Sequence, residues 1–102
     1  MAEENIMEYI DLIEKEDKVF LKFLKAKYPM FHNSNFFFRD LQYGAMKFLE
    51  KKGLKVSIPQ SIKIAEKIGE YFESQGIFVR VTKMGWRLNY PEFVTAAPGD
   101  PF

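Results

Sequence analysis

The residues that could carry out covalent chemistry are few and poorly placed for it. His32 is the single histidine, in the loop segment PMFHNSN with Asn33, Ser34 and Asn35 beside it and no nucleophile at a recognisable spacing. Cysteine is absent, which removes disulfides, thiolate metal sites and a thiol nucleophile. Neither a GxxxxGK[ST] nor a GxGxxG phosphate loop occurs. The paired acids Glu3-Glu4 and Glu16-Asp17 are expected on helix surfaces, where their ordinary use is salt bridging. This inventory does not meet the requirements of a catalytic site, so no enzyme, no metal and no cofactor is expected. What remains is charge able to bind. Lys63, Lys67, Arg80, Lys83 and Arg87 all fall within Ser57–Tyr90, and a helix feeding into a basic hairpin is an arrangement that reads nucleic acid.

The elements that must position those cations can be read from local signals. Ser57 with Gln60 three residues later forms a capping box, and Pro59 sits in the first turn, where its missing N–H costs nothing. The spacing predicts a helix over 58–75 that ends at Gly76. Ile58, Ile62, Ala65, Ile68, Gly69 and Phe72 share its apolar face, and Gln60, Lys63, Lys67, Glu70, Tyr71 and Ser74 lie opposite, with Ile64 at the edge of the polar side. Beyond it, Ile77, Val79 and Val81 alternate with Phe78, Arg80 and Thr82, and Leu88 and Tyr90 alternate with Arg87 and Asn89, which predicts a hairpin over 77–90. Lys83-Met84-Gly85 is its turn, with Gly85 expected to supply a positive φ. Val79, Val81 and Leu88 are expected inward, Arg80, Lys83 and Arg87 outward, and Trp86 covering the hairpin. Pro91 closes the ladder, and residues 91–102 read as a loose tail.

The first half predicts a helical core. Ile6, Ile10 and Ile13 recur at helical spacing, but Glu14, Lys15, Glu16 and Asp17 interrupt the apolar stripe. Two readings follow: helices near 4–14 and 17–28 with Asp17 as a cap, or one long helix with a solvated waist. The first segment could pack on its own domain or on a second copy. Val19, Phe20, Leu21, Phe23, Leu24 and Tyr28 make a wide stripe that belongs in a core, and Pro29 stops it. Phe36, Phe37 and Phe38 predict a short strand with Phe36 and Phe38 on one side. Asp40 is expected to cap a helix whose inner face is Leu41, Ala45, Phe48 and Leu49. Gly53 is placed to end it, and Gly44 within it marks the close approach of another backbone.

The totals are consistent with one globular domain of 102 residues, 47% hydrophobic and 28% charged, with eleven Phe filling a small core. The net charge of +1 conceals a division: residues 1–38 carry net −2, residues 39–90 net +5 and residues 91–102 net −2. The N-terminus MAEENIMEYI lacks the basic start and apolar run of a secretory signal, and no apolar stretch approaches the roughly 20 residues of a membrane span. A cytoplasmic protein without membrane association is expected.

The order of helix, short strand, helix, tight connector, helix and hairpin resembles the winged helix-turn-helix superfamily. FFFRDLQYGAMKFLEKKG resembles the short strand and second helix, SIPQSIKIAEKIGEYFESQG the recognition helix, and IFVRVTKMGWRLNY the wing. The resemblance covers about three-quarters of the chain and rests on element order, not on a diagnostic string. It implies an α+β fold: a three-helix core with a C-terminal β-hairpin wing over 17–90, preceded by an extra N-terminal helix over 1–16. It also implies double-stranded DNA as the partner, with Gln60, Lys63 and Lys67 in the major groove, Lys55 just upstream, and Arg80, Lys83 and Arg87 on phosphates or in the minor groove. A small transcriptional regulator is the leading expectation, dimeric through Ile6, Ile10 and Ile13. Glu66, Glu70 and Glu73 depart from a DNA-reading helix, because carboxylates repel phosphate. The alternative is a winged-helix adaptor that binds another protein through Ile64, Tyr71 and Phe78. What separates the two is whether the five cations converge on one surface.

Overall fold

In the computed structural model, residues 2–93 are described, with the side chains of residues 2–5 excepted. They form α1 (Ala2–Lys15), α2 (Asp17–Lys27), β1 (Asn35–Phe37), α3 (Phe38–Lys51), α4 (Ile58–Ser74), β2 (Phe78–Thr82) and β3 (Gly85–Leu88). The fold is α+β, with a three-stranded antiparallel sheet in the order β1-β3-β2. α4 packs against α3 and α1 and leads into β2, while α2 packs on α3. None of the described helices is long and apolar enough to cross a membrane.

The Phe excess fills the core. Phe20, Phe36, Phe72, Phe78 and Trp86 are each 2% exposed or less. Their rings form a continuous chain, with Phe72 and Phe78 centroids 4.9 Å apart, Phe78 and Trp86 5.1 Å, and Phe20 and Phe48 5.1 Å. Such contacts add about 0.5–1.5 kcal/mol each to the area they bury. Leu41, Ala45, Phe48 and Leu49 form the inner face of α3, as their spacing predicted.

Several local expectations are corrected. The charged segment divides two helices, but Asp17 is the first residue of α2 and not its cap, and Glu16 in the cap position makes no side-chain cap bond. α3 begins at Phe38, two residues before Asp40, again without a side-chain cap. Its first N–H is satisfied across the fold, because Phe38 N donates to the Met84 carbonyl at 2.8 Å. Phe36 is buried while Phe37 is 54% exposed. Gly44 does mark a close approach, but of the Leu24 side chain: an added Cβ would lie 2.2 Å from Leu24 Cδ2. Gly53 and Gly76 have the left-handed φ of helix-ending glycines, and Gly85 does not. Gly85 sits in close quarters instead: a Cβ there would lie 3.1 Å from Phe37 Cδ1, 3.2 Å from Thr82 Oγ1 and 3.4 Å from the Phe36 carbonyl oxygen.

Leu88 faces inward and Arg87 outward as expected, but the inward face of β2 is the reverse of the one expected. Phe78 pairs with Leu88 and Arg80 with Trp86, so these four side chains share the core-facing side, while Val79 pairs with Arg87 on the other. Val81 is 52% exposed. The start of the segment expected to be loose is held: Phe93 is buried, and its carbonyl accepts from His32 N at 2.5 Å. His32 also accepts the Tyr90 N–H at Nδ1, 3.0 Å away, so the lone histidine anchors the chain leaving the hairpin. The rest of the expected tail, residues 94–102, lies outside the described residues.

Candidate interaction surface

α4 is positioned by the capping box the sequence announced. Ser57 Oγ accepts from Gln60 N at 3.2 Å, and Gln60 Oε1 accepts from Ser57 N at 3.0 Å. The same bond occupies the Gln60 acceptor that a two-point contact with adenine would need. The helix is rotated from the apolar face expected of it. Ser61, Ile64, Ala65, Ile68, Gly69 and Phe72 are buried, whereas Ile58 and Ile62 are 47% and 39% exposed. Ser61 is accommodated because its hydroxyl donates to the Ile58 carbonyl at 2.6 Å and accepts from Gln42 Nε2 at 3.1 Å. A satisfied polar pair can be buried where an unsatisfied one could not. Ile64 is therefore core and not a partner anchor.

The cations assigned to α4 face a groove of about 790 Å³ between α1 and α4. Lys63 and Lys67 line it together with Asp11, Glu14, Glu66 and Glu70, and Lys67 Nζ lies 3.8 Å from Glu70. Burial, and then the neighbouring Asp11, raise the Glu14 carboxyl above its ordinary range. Tyr71, expected as an exposed anchor, donates its hydroxyl to Asp17 Oδ2 at 2.8 Å and ties α4 to α2. That bond, burial and the charges of Asp17 and Glu14 push its phenol up to about 12.

Arg80 is exposed, as expected, but lies back over the hairpin. Its guanidinium lies 5.0 Å from the Trp86 ring centroid, donates to Glu73 Oε2 at 2.6 Å, and donates to the Lys83 carbonyl at 2.8 Å. Trp86 Nε1 donates to the same Glu73 oxygen at 2.6 Å. Glu73 is thus compensated from two sides and is not one of the acids a ligand would meet. Arg87, on the opposite side of the sheet, donates to Asn33 Oδ1 at 2.8 Å. Phe78, the third expected anchor, is 2% exposed in the ring chain. Lys55 is exposed in the connector before α4.

The five cations therefore occupy separate places: Lys63 and Lys67 beside α1, Arg80 and Lys83 between α4 and the hairpin, and Arg87 behind the sheet. Glu66 and Glu70 line the first two of these regions, so carboxylates interrupt any positive strip. The second region is a groove of about 770 Å³ whose walls include Tyr43, Ile62, Met84, Arg39 and Lys83. Tyr43, Ile62 and Met84 are 37%, 39% and 57% exposed. Spacing alone does not mark these residues as exposed: the wheel of α4 puts Ile62 on the apolar face, and Tyr43 lies outside the apolar stripe of α3.

The dimer face is also reassigned. Ile6 is 8% exposed and Ile13 fully buried in the core of the same chain, with Ile10 packed partly against it. Ile6 and Ile13 thus pack on their own domain, while Ile10 also lines the groove beside α4. Among the described residues no group of His, Asp or Glu could hold a metal ion. No family model, curated protein or solved structure matches the chain.

Proposed function

We propose that this chain is a winged-helix protein-interaction module, and that the groove between α3, α4 and the hairpin is where a partner segment docks. The winged-helix reading is supported by the order α2, β1, α3, α4, β2, β3 and by a first strand that pairs with the outgoing strand of the hairpin. One observation carries the interaction reading: Glu66 and Glu70 stand between the α4 lysines and the hairpin cations. A helix laid along duplex phosphates would press those carboxylates toward like charge. The same groove suits a protein segment, since exposed Ile62, Tyr43 and Met84 offer apolar anchorage beside charges of both signs.

Short peptides selected from a random display library against the whole chain test this reading. The selected peptides should compete for one site, shift the amide resonances of Tyr43, Ile62 and Met84, and lose at least about tenfold in affinity to Ile62→Glu, the loss typical of a central anchor. Peptides that bind Ile62→Glu as well as the natural chain would overturn it. So would a duplex whose binding is abolished by Lys63→Glu with Lys67→Glu, which would restore α4 as a DNA-reading helix.

A further inference from the structure

The positive charge of this protein is concentrated away from α4 and the hairpin. Residues 57–93 hold five cations against four acids, a net of +1, whereas residues 17–56 hold nine cations against three acids, a net of +6. That second span is α2, β1, α3 and their connectors, and α2 packs directly on α3.

The packing brings part of that charge together. Lys27, at the end of α2, has its Nζ 5.2 Å from the Phe23 ring centroid, and Lys51, at the end of α3, has its Nζ 5.8 Å from the same centroid. Two ammonium groups from different helices are thus held at one partly exposed ring. Neither has a carboxylate within ion-pair distance among the described residues, and neither has Lys55 a few residues beyond. The acids nearest these lysines are Glu16, 3.0 Å from Lys52, and Glu50, 3.9 Å from Lys47, while Asp40 lies two helical turns before Lys47, where its charge, after burial, raises the Tyr28 phenol. Lys47 stands one helical turn from Lys51, about 6 Å along the axis. Phe23 meets Phe48 edge to face at 5.4 Å, and Lys52 Nζ lies 5.1 Å from the Phe48 ring. The ammonium groups themselves thus lie at aromatic rings, with Lys27 and Lys51 still exposed to solvent.

We infer that the α2–α3 face is a nucleic-acid backbone-binding surface, with Lys27 and Lys51 at its centre and Lys47 and Lys55 beside them. The inference is independent of the groove proposed above. Lysines without arginine suit phosphates engaged as point charges, without the bidentate geometry that reads bases. The face therefore binds without sequence preference. Phosphates held at these lysines displace condensed counterions from the nucleic acid.

Fluorescence anisotropy with a labelled duplex of arbitrary sequence, on the full chain at two salt concentrations, tests this. Four phosphate contacts predict a log–log salt slope of about −3.6, or roughly a hundredfold weakening from 50 to 200 mM salt. Lys27→Glu with Lys51→Glu should weaken binding more than about tenfold and flatten the slope by about 1.8. The matched charge change Lys63→Glu with Lys67→Glu should leave affinity within about twofold, because those lysines stand beyond Glu66 and Glu70. Lys27→Gln with Lys51→Gln should give an intermediate loss, with thermal midpoints recorded for each variant. Absence of binding at 50 mM, equal losses in the two glutamate pairs, or tighter binding to vesicles of anionic lipid than to the duplex would overturn it.

Discussion

Glu73 is the residue on which the placement of the hairpin against α4 should depend most. Its Oε2 accepts from Trp86 Nε1 and from the Arg80 guanidinium, both at 2.6 Å. Trp86 is 1% exposed, so Glu73→Ala leaves a buried indole N–H without its acceptor, at about 1–3 kcal/mol. The Arg80 pair is partly solvated, with side chains 43% and 30% exposed, and adds no more than about 1 kcal/mol. Together the loss should be about 1–4 kcal/mol, lowering the midpoint by roughly 4–8 °C for each kcal/mol in a domain of this size. Urea denaturation followed by circular dichroism measures it. A double-mutant cycle with Trp86→Phe isolates the indole bond, because phenylalanine has no N–H to satisfy. In the Trp86→Phe background, Glu73→Ala should cost only the Arg80 component. An equal loss in both backgrounds would refute the assignment and reduce Glu73 to a surface ion pair.

Two further outcomes follow from other contacts. The Tyr71 phenol has a folded-state pKa of about 12, raised from 10.0 chiefly by its bond to Asp17. Its stabilisation is therefore complete below pH 10 and lost as pH rises toward 12. Burial raises Tyr28 and Tyr90 in the same direction, so Tyr71→Phe should reduce the alkaline loss of stability without abolishing it, as pH-dependent urea midpoints would record. Ile13→Ala should destabilise the fold by about 2–5 kcal/mol, the range for truncating a buried isoleucine, without changing the sedimentation coefficient of the folded protein. A shift in sedimentation without a loss of stability would return Ile13 to an interface between copies.

The sequence alone determined the features whose causes are local. Ser57, Pro59, Gln60 and Gly76 bound α4 because caps and left-handed turns are made by neighbouring atoms, and the inner face of α3 followed from spacing for the same reason. The existence of the hairpin was legible in its alternation, but which side of β2 faces inward was not, because a period of two is equally regular on both sides. Tertiary packing chose Phe78 and Arg80 over Val79 and Val81: Phe78 enters the ring chain, and Arg80 stacks on Trp86 and meets Glu73 on a different element. Ser61 and Ile64 displaced Ile58 and Ile62 from the core because Gln42, nineteen residues before Ser61, supplies the bond that lets a hydroxyl be buried. The division of charge was present in the residue order. Its arrangement was decided only when α2 packed on α3 and when Glu66 and Glu70 came to lie between the cations of α4 and the hairpin, since charges far apart in the chain become neighbours only through folding.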